Sequence, residues 1–568
     1  MNKIVWPVLI FISFAASAQD TFFQEPLKIP LLLTGTFAEL RSNHFHSGID
    51  IRTEGKTGLP VYPAAEGFVS RIVVSPSGFG NALYIDHPNG TTTVYGHLGK
   101  FKDEIAGYVK NIQYKNKSFR IDVAVPPGKF PVKKDEAIAL SGNSGSSGGP
   151  HLHFEIRDTK TQEPLNPLNY GLSIQDDMNP KITGLRIYPL NNESHVAFLP
   201  EPKNYDVVFY SGKYHIRNNP EIPVYGKVGF GIEAIDYLNG TWSKCGISYL
   251  SIKVDGHEIF GFELNRFSFS QTRYLNSHID FAEYIDNHRR FYKTWKDPGN
   301  MLPFYHTVNN DGSFVATGQK RHTVEVTVSD SYKNTSTLVF KIKSSYRELP
   351  SKKTKGFQTF YYNRDNYFEA NGIKASCPVG AFYADFEFDY NVITNNDTTL
   401  FSDIHEVHHN TTPVHDPITL SIKPDNLPDG LKDKSLIVAL NENLNHKSAI
   451  GGEFVNGYVT ARARSFGIFA VAIDTVAPSL TPLSIRNKRT LVEQGQIRFR
   501  IKDELSGIKN YTGTIDGEWV LFEYDAKNNL LCYTFDEERM QFNQNHQLKL
   551  TATDNKGNTA TYEAAFFK

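Results

Sequence analysis

Short runs in which apolar and polar residues alternate recur along most of this chain. Residues 322–329, His-Thr-Val-Glu-Val-Thr-Val-Ser, form one such run, and Asn, Asp and Gly residues typical of turns bound these runs. Alternation with a period of two turns one face of a β-strand towards a core, and no long stretch shows the helical period. Because 13% of the residues are aromatic and Thr, Val and Ile are frequent, the pattern predicts a mainly β protein that includes sandwiches.

One part of the chain is echoed by another. Residues 231–334 share a series of short motifs with residues 499–558, and both copies end in an Asp-x-x-x-Asn turn, at 330–334 and at 554–558. The echo predicts two immunoglobulin-like β domains of the kind that exported bacterial proteins carry. We expect the acidic turns to be hydrogen-bonded turns, with calcium binding as the alternative.

The first residues predict export. A lysine at position 3 precedes an apolar stretch at 4–16, and Ala16-Ser17-Ala18 forms an Ala-x-Ala cleavage site, so residues 1–18 are predicted to be a secretory signal peptide. The apolar stretch is too short to span a membrane comfortably, and no other stretch reaches that length. No cysteine follows the cleavage site, so no lipid anchor is expected.

Charge and cysteine content narrow the function classes. A net charge of -1 and a pI near 7.0 give no indication of nucleic-acid binding. Cys245, Cys377 and Cys532 are the only cysteines, and they are far apart in the sequence. We expect three free thiols, with one bridge between domains as the alternative, and no cysteine ligand for a metal.

Histidines near residue 150 carry the main chemical signal. In the segment Gly-Pro-His-Leu-His-Phe-Glu at 149–155, His151 and His153 are two apart, so on a β-strand both point to the same face. His46 and Asp50 supply a histidine and a carboxylate four apart. Two histidines, one carboxylate and an open position for water form the usual catalytic zinc site. The alternative is a core strand that carries two histidines.

The order of the motifs resembles a known family. His46-x-x-x-Asp50, then His97 in the context Tyr-Gly-His-Leu, then His151-x-His153 match in order the pattern of the lysostaphin-type (LytM-domain) zinc metalloendopeptidases. The resemblance covers roughly residues 30–170. It implies an antiparallel β-sheet peptidase domain in which His46, Asp50 and His153 bind one Zn²⁺. It also implies that His97 and His151 are catalytic histidines that do not bind the metal.

The motifs also suggest which histidine is the general base, and their surroundings contain an insertion and a nearby carboxylate. We prefer His151 to His97 as the general base, because the residue two positions further is a ligand. An insertion at about 102–131, relative to the family pattern, predicts an additional hairpin beside the groove. Glu155 either orients a histidine or ends the strand in a salt bridge.

Three other histidine positions are expected to have no part in the site. We expect His44 to lie at the surface or beside the site without binding the metal, and His87, which precedes a proline in a turn, to face solvent. The histidine-rich run at 405–409 is predicted to be a solvated loop.

These interpretations divide the chain into domains. They are the signal peptide at 1–18, the peptidase domain at 19–172, an immunoglobulin-like domain at 173–346, a β-rich domain of unknown type at 347–475 and a second immunoglobulin-like domain at 476–568.

The predicted function is that of an exported zinc metalloendopeptidase. The resemblance implies that its substrate is a peptidoglycan stem or cross-link peptide, with the D-alanyl cross-link favoured. A periplasmic location is expected, with an extracellular one as the alternative. The C-terminal β domains are expected to position the enzyme near the envelope or an envelope protein partner, with packing that only stabilises the peptidase as the alternative. The competing hypothesis is a scaffold without catalytic activity that activates other cell-wall hydrolases. A third hypothesis is a peptidase that acts on exported proteins.

Overall fold

The computed structural model describes residues 22–349 and 356–568, so the predicted signal peptide at 1–18 lies outside the described residues. The described chain is mainly β, as predicted, and its N-terminal domain is built on an antiparallel sheet. No helix in the described ranges is both long and apolar enough to cross a membrane.

The N-terminal domain contains one α-helix and a series of short strands. The elements are β1 (Leu33–Gly35), β2 (Ile49–Arg52), β3 (Pro60–Val61), β4 (Gly67–Val74), β5 (Asn81–Asp86), β6 (Thr91–Leu98), β7 (Lys100–Phe101), α1 (Asp103–Asn116), β8 (Ile121–Ala124), β9 (Pro131–Val132), β10 (Ala139–Leu140), β11 (His151–Asp158), β12 (Pro164–Leu165) and a 3₁₀ turn at Pro167–Tyr170.

The main sheet of this domain has the order β1-β2-β11-β6-β5-β4-β8, and β3, β10 and β7 form a smaller sheet. Strand β6 is buried along its whole length, and β11 is buried except at its two ends. Their apolar side chains pack into a core that includes Tyr95, Leu152, Phe154 and Ile156. Burying such side chains stabilises the fold by about 1.5–3 kcal/mol each, so the strands at the centre of the sheet form a rigid support for polar side chains on the opposite face.

The insertion after β6 differs from the predicted hairpin, because its first half is the helix α1. Ile105 and Val109 are four apart and share the buried face of the helix, while Asp103 and Glu104 lie in its first turn, where acidic side chains are favourable. Only the second half of the insertion is extended, and β8 pairs with β4. The apolar stripe is only about three turns long, so its helical period is weak in the sequence.

The second domain forms a 12-stranded sheet arrangement. Its strands are Lys181–Pro189, His195–Val196, Lys203–Tyr210, Lys213–Ile216, Glu221–Ile235, Tyr249–Val254, His257–Glu263, Tyr292–Lys293, Tyr305–Val308, Phe314–Ala316, Arg321–Ser329 and Thr335–Ser344, with helices at Leu275–His278 and Phe281–Asn287 and 3₁₀ turns at Thr272–Tyr274 and Asn309–Gly312.

The remaining residues form two further β domains. The strands of the third are Gln358–Phe360, Asn366–Ala370, Ile373–Cys377, Phe386–Phe388, Tyr390–Ile393, Ile404–Val407, Ile418–Ile422, Ser435–Leu440, Lys447–Gly451, Glu453–Val455, Tyr458–Ala463 and Gly467–Ile473, with a 3₁₀ turn at Asp429–Lys434. Those of the fourth are Ser479–Pro482, Arg489–Thr490, Gln496–Lys502, Ile508–Ile515, Glu518–Val520, Phe522–Asp525, Leu530–Thr534, Asn545–Asp554 and Thr559–Phe567, with a 3₁₀ turn at Ala526–Asn528.

The fourth domain folds back onto the first. Lys110 on helix α1 forms an ion pair with Asp536, with 2.7 Å between nitrogen and oxygen. The ring of Tyr114, also on α1, makes an edge contact with Trp519 at 5.1 Å between ring centroids. Between α1 and the fourth domain lies a cavity of about 550 Å³. The helix that replaces the expected hairpin is thus the contact surface for the end of the chain.

Candidate metal centre and catalytic groove

Three neighbouring strands of the main sheet bring the predicted site residues together. His46 precedes β2, Asp50 lies in β2, His97 lies near the end of β6, and His151 and His153 both lie in β11. Strand β11 runs between β2 and β6, and its register places His153 directly opposite Asp50. Since His151 and His153 are two apart on one strand, both side chains reach the same face, as predicted from the sequence.

The three predicted ligands converge on one point. The Nε2 atom of His46 lies 3.0 Å from Oδ1 of Asp50 and 3.1 Å from Nδ1 of His153. The same Nδ1 atom lies 2.9 Å from Oδ1 of Asp50. All three residues are buried. Tetrahedral ligands of Zn²⁺ at about 2.1 Å from the ion lie about 3.4 Å from one another, so this triangle is close to the required size.

In His46 and in His153, the ring nitrogen that points away from the triangle forms its own hydrogen bond. In the neutral ring, this bond leaves the nitrogen that faces the triangle without a proton. Nδ1–H of His46 donates to the carbonyl oxygen of Thr36 at 2.8 Å, which leaves Nε2 as an acceptor. Nε2–H of His153 donates to Oε1 of Glu155 at 2.9 Å, which leaves Nδ1 as an acceptor. When both rings are neutral, two bare nitrogens and a carboxylate oxygen face one another, and a cation satisfies such a set of acceptors. Without a cation, burial lowers the pKa of His153, but hydrogen bonds to Asp50 and Glu155 outweigh burial and raise it to about 9, so a proton takes the place of the cation. The residues fit a zinc ion.

A buried charged chain holds His153 in place. Glu155 is 0% exposed and also contacts the Ser47 hydroxyl and the buried guanidinium of Arg157. Burial raises the pKa of Glu155, but Arg157 and His153 outweigh burial and lower it to about 2. Glu155 is therefore ionised, and it orients the imidazole, which was one of the two roles proposed from the sequence.

The ring of His153 is also positioned by its apolar neighbours. Phe79 stacks on it, with 4.8 Å between ring centroids and 22° between ring planes. Gly96 on β6 lies opposite His153, and a Cβ atom at Gly96 would lie 3.3 Å from the Cβ of His153. That contact is tight, so the glycine leaves room for the ring.

The two remaining histidines lie beside the triangle. Nδ1–H of His97 donates to the carbonyl oxygen of Ser144 at 2.9 Å, and Nδ1–H of His151 donates to that of Gly149 at 2.8 Å. Nε2 of both rings is therefore free of its proton in the neutral state. The ring centroids are 4.7 Å apart, and Nε2 of His151 lies 3.4 Å from Oδ1 of Asp50. The Gly/Ser-rich loop at 141–149 thus orients both rings.

The backbone at His97 is unusual. Its φ is +59°, in the left-handed region that few residues other than glycine adopt. The register between β5 and β6 is irregular nearby, and the amide of His97 donates to the carbonyl of Phe79 at 2.8 Å. Burial, with the neighbouring His153 and His151, lowers the pKa of His97 to about 3, so the ring is neutral at pH 7. Strained backbone of this kind is concentrated at functional sites.

Arg41 is a neighbour whose partner the sequence did not reveal. Its guanidinium lies 3.0 Å from Oδ2 of Asp50 and 3.5 Å from Glu39. Burial raises the pKa of Asp50, but the surrounding histidines outweigh burial and hold it well below its ordinary value. Arg41 thus forms an ion pair with Oδ2 of Asp50, the carboxylate oxygen that does not face the triangle. No spacing rule links positions 41 and 50, because a loop brings them together.

Three other histidine predictions have mixed outcomes. His44 is exposed, as expected, and bonds to the carbonyl of Ser42. His87 does not face solvent: it is buried and bonds to Glu66 and Thr93, because the first residues of the domain cover this turn. The run at 405–409 is not a solvated loop either, since Ile404–Val407 is a strand and His405 lies in the core.

The cysteine prediction is confirmed: all three cysteines are free thiols. The predicted Asp-x-x-x-Asn turns are also present as hydrogen-bonded turns. Asp330 accepts from the backbone and side chain of Asn334, and Asp554 does the same with Asn558.

Sequence comparisons identify two segments. Residues 44–114 match the model of peptidase family M23, which is zinc-dependent, and residues 357–474 match the Zu5-like domain. The second match gives a type to the domain that the sequence patterns left unassigned.

Relatives and a solved structure match the N-terminal part. The chain is 30% identical over 133 residues to the DD-carboxypeptidase/endopeptidase Mpg of Neisseria meningitidis, a match that covers 23% of this chain and 24% of the relative. It is 33% identical over 111 residues to the peptidoglycan DD-endopeptidase ShyB of Vibrio cholerae, covering 20% of each. A zinc-containing peptidase from Vibrio cholerae aligns at 29% identity and a TM-score of 0.20, over 27% of this chain and 40% of that one.

These matches confirm the resemblance that the ordered histidine motifs predicted, although the chain spans about a quarter or less of the length of these two relatives. The N-terminal domain thus matches peptidase family M23 over residues 44–114 and is similar to the lysostaphin-type metallopeptidases.

Proposed function

We propose that this protein is an exported zinc metalloendopeptidase that hydrolyses peptide bonds in peptidoglycan. The observation that carries the proposal is the triangle of bare acceptor atoms formed by His46, Asp50 and His153. When bound there, zinc supplies a Lewis acid that polarises a carbonyl and lowers the pKa of a water molecule.

The chain's own residues divide the remaining work. The Nδ1–H groups of His151 and His97 are held by backbone carbonyls, so both rings present Nε2 as the acceptor atom, and a histidine so placed can take a proton from water and return it to the leaving amine. We assign the role of general base to His151, because its Nε2 atom lies beside the ligand triangle, 3.4 Å from Oδ1 of Asp50. We assign to His97 the second catalytic position, where its neutral ring presents Nε2 as an acceptor for the water molecule or the leaving amine.

The proposed substrate rests on the family and its members. The relatives named above carry the descriptions DD-carboxypeptidase/endopeptidase and peptidoglycan DD-endopeptidase. We therefore propose the D-alanyl cross-link of peptidoglycan as the substrate. The apolar N-terminus with an Ala-x-Ala site supports export to the periplasm.

The decisive experiment is a digest of purified peptidoglycan by the zinc-loaded full chain, with mass spectrometry of the released muropeptides. We expect loss of cross-linked species with a chelator-sensitive rate, and no digestion of casein under the same conditions. Digestion of casein but not of peptidoglycan would refute the proposed substrate.

Two variants separate the metal ligand from the proton-transfer residue. His153→Ala is expected to lose zinc and activity together, and His151→Ala is expected to keep zinc at full occupancy while turnover falls at least a hundredfold. No turnover in the zinc-loaded wild type would favour the scaffold hypothesis instead, whereas wild-type turnover in both variants would refute the roles assigned to His151 and His153. The presence of all five motif residues supports catalysis over that hypothesis.

A further inference from the structure

Three aspartates, none of them a residue of the candidate metal centre, meet where the second domain joins the first. Asp176 lies in the connector between the domains, Asp236 follows the strand Glu221–Ile235, and Asp330 follows the strand Arg321–Ser329. One carboxylate oxygen from each lies within 4.8 Å of the other two. No lysine, arginine or histidine in the described ranges forms an ion pair with any of them.

One of these carboxylates lacks a compensating partner. Asp236 is 2% exposed, and its Oδ1 atom has no hydrogen-bond partner among residues 22–349 and 356–568. Oδ2 of the half-buried Asp176 is also unpaired within these ranges. A buried, unpaired carboxylate is costly unless a cation or a proton neutralises it. By contrast, Asp330 is already satisfied by the amides of Tyr332 and Asn334.

We propose that Asp176, Asp236 and Asp330 bind a hard divalent cation of the calcium type. All three ligands are oxygens, which Ca²⁺ and Mg²⁺ prefer and which zinc does not require. The half-buried Asp176 leaves one side open for water and backbone oxygens to complete the coordination. This inference does not depend on the proposed peptidase function.

The position of this cluster indicates what the cation does. Leu238 and Cys245, in the loop after Asp236, pack into the core of the N-terminal domain. In the turn that Asp330 begins, the Ser331 hydroxyl accepts a hydrogen bond from Asn166 of the first domain at 2.9 Å. A cation held here joins the connector to both loops, and so fixes the second domain against the peptidase domain.

The fourth domain contains a related cluster that serves as a matched control. Asp474, Asp503 and Asp554 occupy the same places relative to their connector, strand and turn. Each of these carboxylates accepts at least one backbone amide, from Ser506, Leu505 or Lys556 among others. None of the three appears among the buried unpaired atoms of the described residues. The electrostatic need for a cation is therefore smaller at this cluster.

A shared proton is the competing explanation. Burial and the neighbouring Asp330 and Asp176 raise the pKa of Asp236 to about 8. If a proton alone neutralised the cluster, the protein would be indifferent to calcium. The two explanations therefore differ in a direct binding measurement.

The test uses the full chain, kept saturated with zinc and freed of other divalent ions. Addition of Ca²⁺ is expected to raise the melting temperature by several degrees. Tb³⁺, which substitutes for Ca²⁺, is expected to show luminescence on tyrosine excitation, because Tyr332 lies beside Asp176 and Asp330. Ca²⁺ should displace this signal. Absence of any response to Ca²⁺, Mg²⁺ and Tb³⁺ would overturn the proposal.

Variants of single aspartates test whether the Ca²⁺-dependent rise in melting temperature and the Tb³⁺ luminescence come from this cluster. Asp236→Asn is expected to fold, because it removes a buried charge, and to lose the Ca²⁺-dependent shift and the Tb³⁺ signal. Asp176→Asn, at a less buried position, is expected to weaken binding at least tenfold. Asp503→Asn should keep both responses. Retention of both in Asp236→Asn and Asp176→Asn, or their loss only in Asp503→Asn, would refute the assignment.

Discussion

Glu155 offers the sharpest test of how the metal centre is supported. The substitution Glu155→Gln preserves size and removes the charge. Oε1 of Glu155 receives Nε2–H of His153 and the Ser47 hydroxyl, while Oε2 receives Arg157. A glutamine has one oxygen and one NH₂ group, so in either orientation its NH₂ group faces at least one buried donor.

The size of the effect follows from these contacts. A buried donor left without an acceptor costs about 1–3 kcal/mol, and the loss of one partner from a buried ion pair costs about 3–5 kcal/mol. The two costs overlap at Arg157, so we expect the unfolding free energy to fall by about 3 kcal/mol. Loss of a carboxylate that orients a metal-bound histidine weakens metal binding tenfold to a hundredfold, or about 1.4–2.7 kcal/mol.

Zinc affinity is measured by competition with a chromophoric chelator, and stability by calorimetry of the zinc-free chain. Glu163→Gln is the control, because Glu163 pairs with Arg266 at a more exposed position, where such pairs contribute about 0–1 kcal/mol. If Glu155→Gln bound zinc as tightly as wild type, the assignment of Nδ1 as the metal-binding nitrogen of His153 would be wrong.

Three further predictions concern other parts of the chain. Burial lowers the pKa of His278 to about 3, so between pH 6.5 and 3 the unfolded chain binds a proton that the folded chain does not. The free energy of unfolding therefore falls as pH falls, by up to about 1.4 kcal/mol per pH unit. His278→Gln should flatten this dependence in urea titrations at several pH values, and an unchanged slope would contradict the prediction. Lys527→Ala should speed hydrogen exchange in the loop 141–149 measurably, because Lys527 donates to two carbonyls of that loop; identical exchange would show that the contact does not order the loop. A thiol reagent should label Cys532 in the native chain and reach the buried Cys245 and Cys377 only on unfolding; equal native labelling of all three would contradict their burial.

The five site residues could be predicted partly from a short-range rule and partly from the resemblance to a known family. Strand periodicity put His151 and His153 on one face, and the ordered motifs supplied His46, Asp50 and His97. The structure brings all five together. Their neighbours depend on contacts between distant segments, which no local pattern encodes.

Helix α1 shows the opposite case. Its apolar residues, such as Ile105 and Val109, repeat with a helical period over only three turns, and the flanking strands dominate the pattern of the region. The same limit applies to the run at 405–409, where Asn, Thr and Pro neighbours indicated a loop. There, pairing with the strand Gly467–Ile473 outweighs local preference and buries His405.

The return of the fourth domain gives the insertion a structural purpose. Lys110 and Tyr114 on α1 contact Asp536 and Trp519, so the helix holds this domain beside the peptidase groove. From there Lys527 reaches the carbonyl of Ser147 at 3.1 Å, although the two residues are 380 positions apart.

The loop that Lys527 contacts also supplies the carbonyls of Ser144 and Gly149, which orient His97 and His151. His97 and His151 are therefore oriented by the same loop that the fourth domain contacts, so a displacement of that domain that moved the loop would also move the acceptors of both rings. The distant end of the chain is therefore in contact with a loop of the candidate site, which a tail that only tethers the enzyme to the envelope would not require.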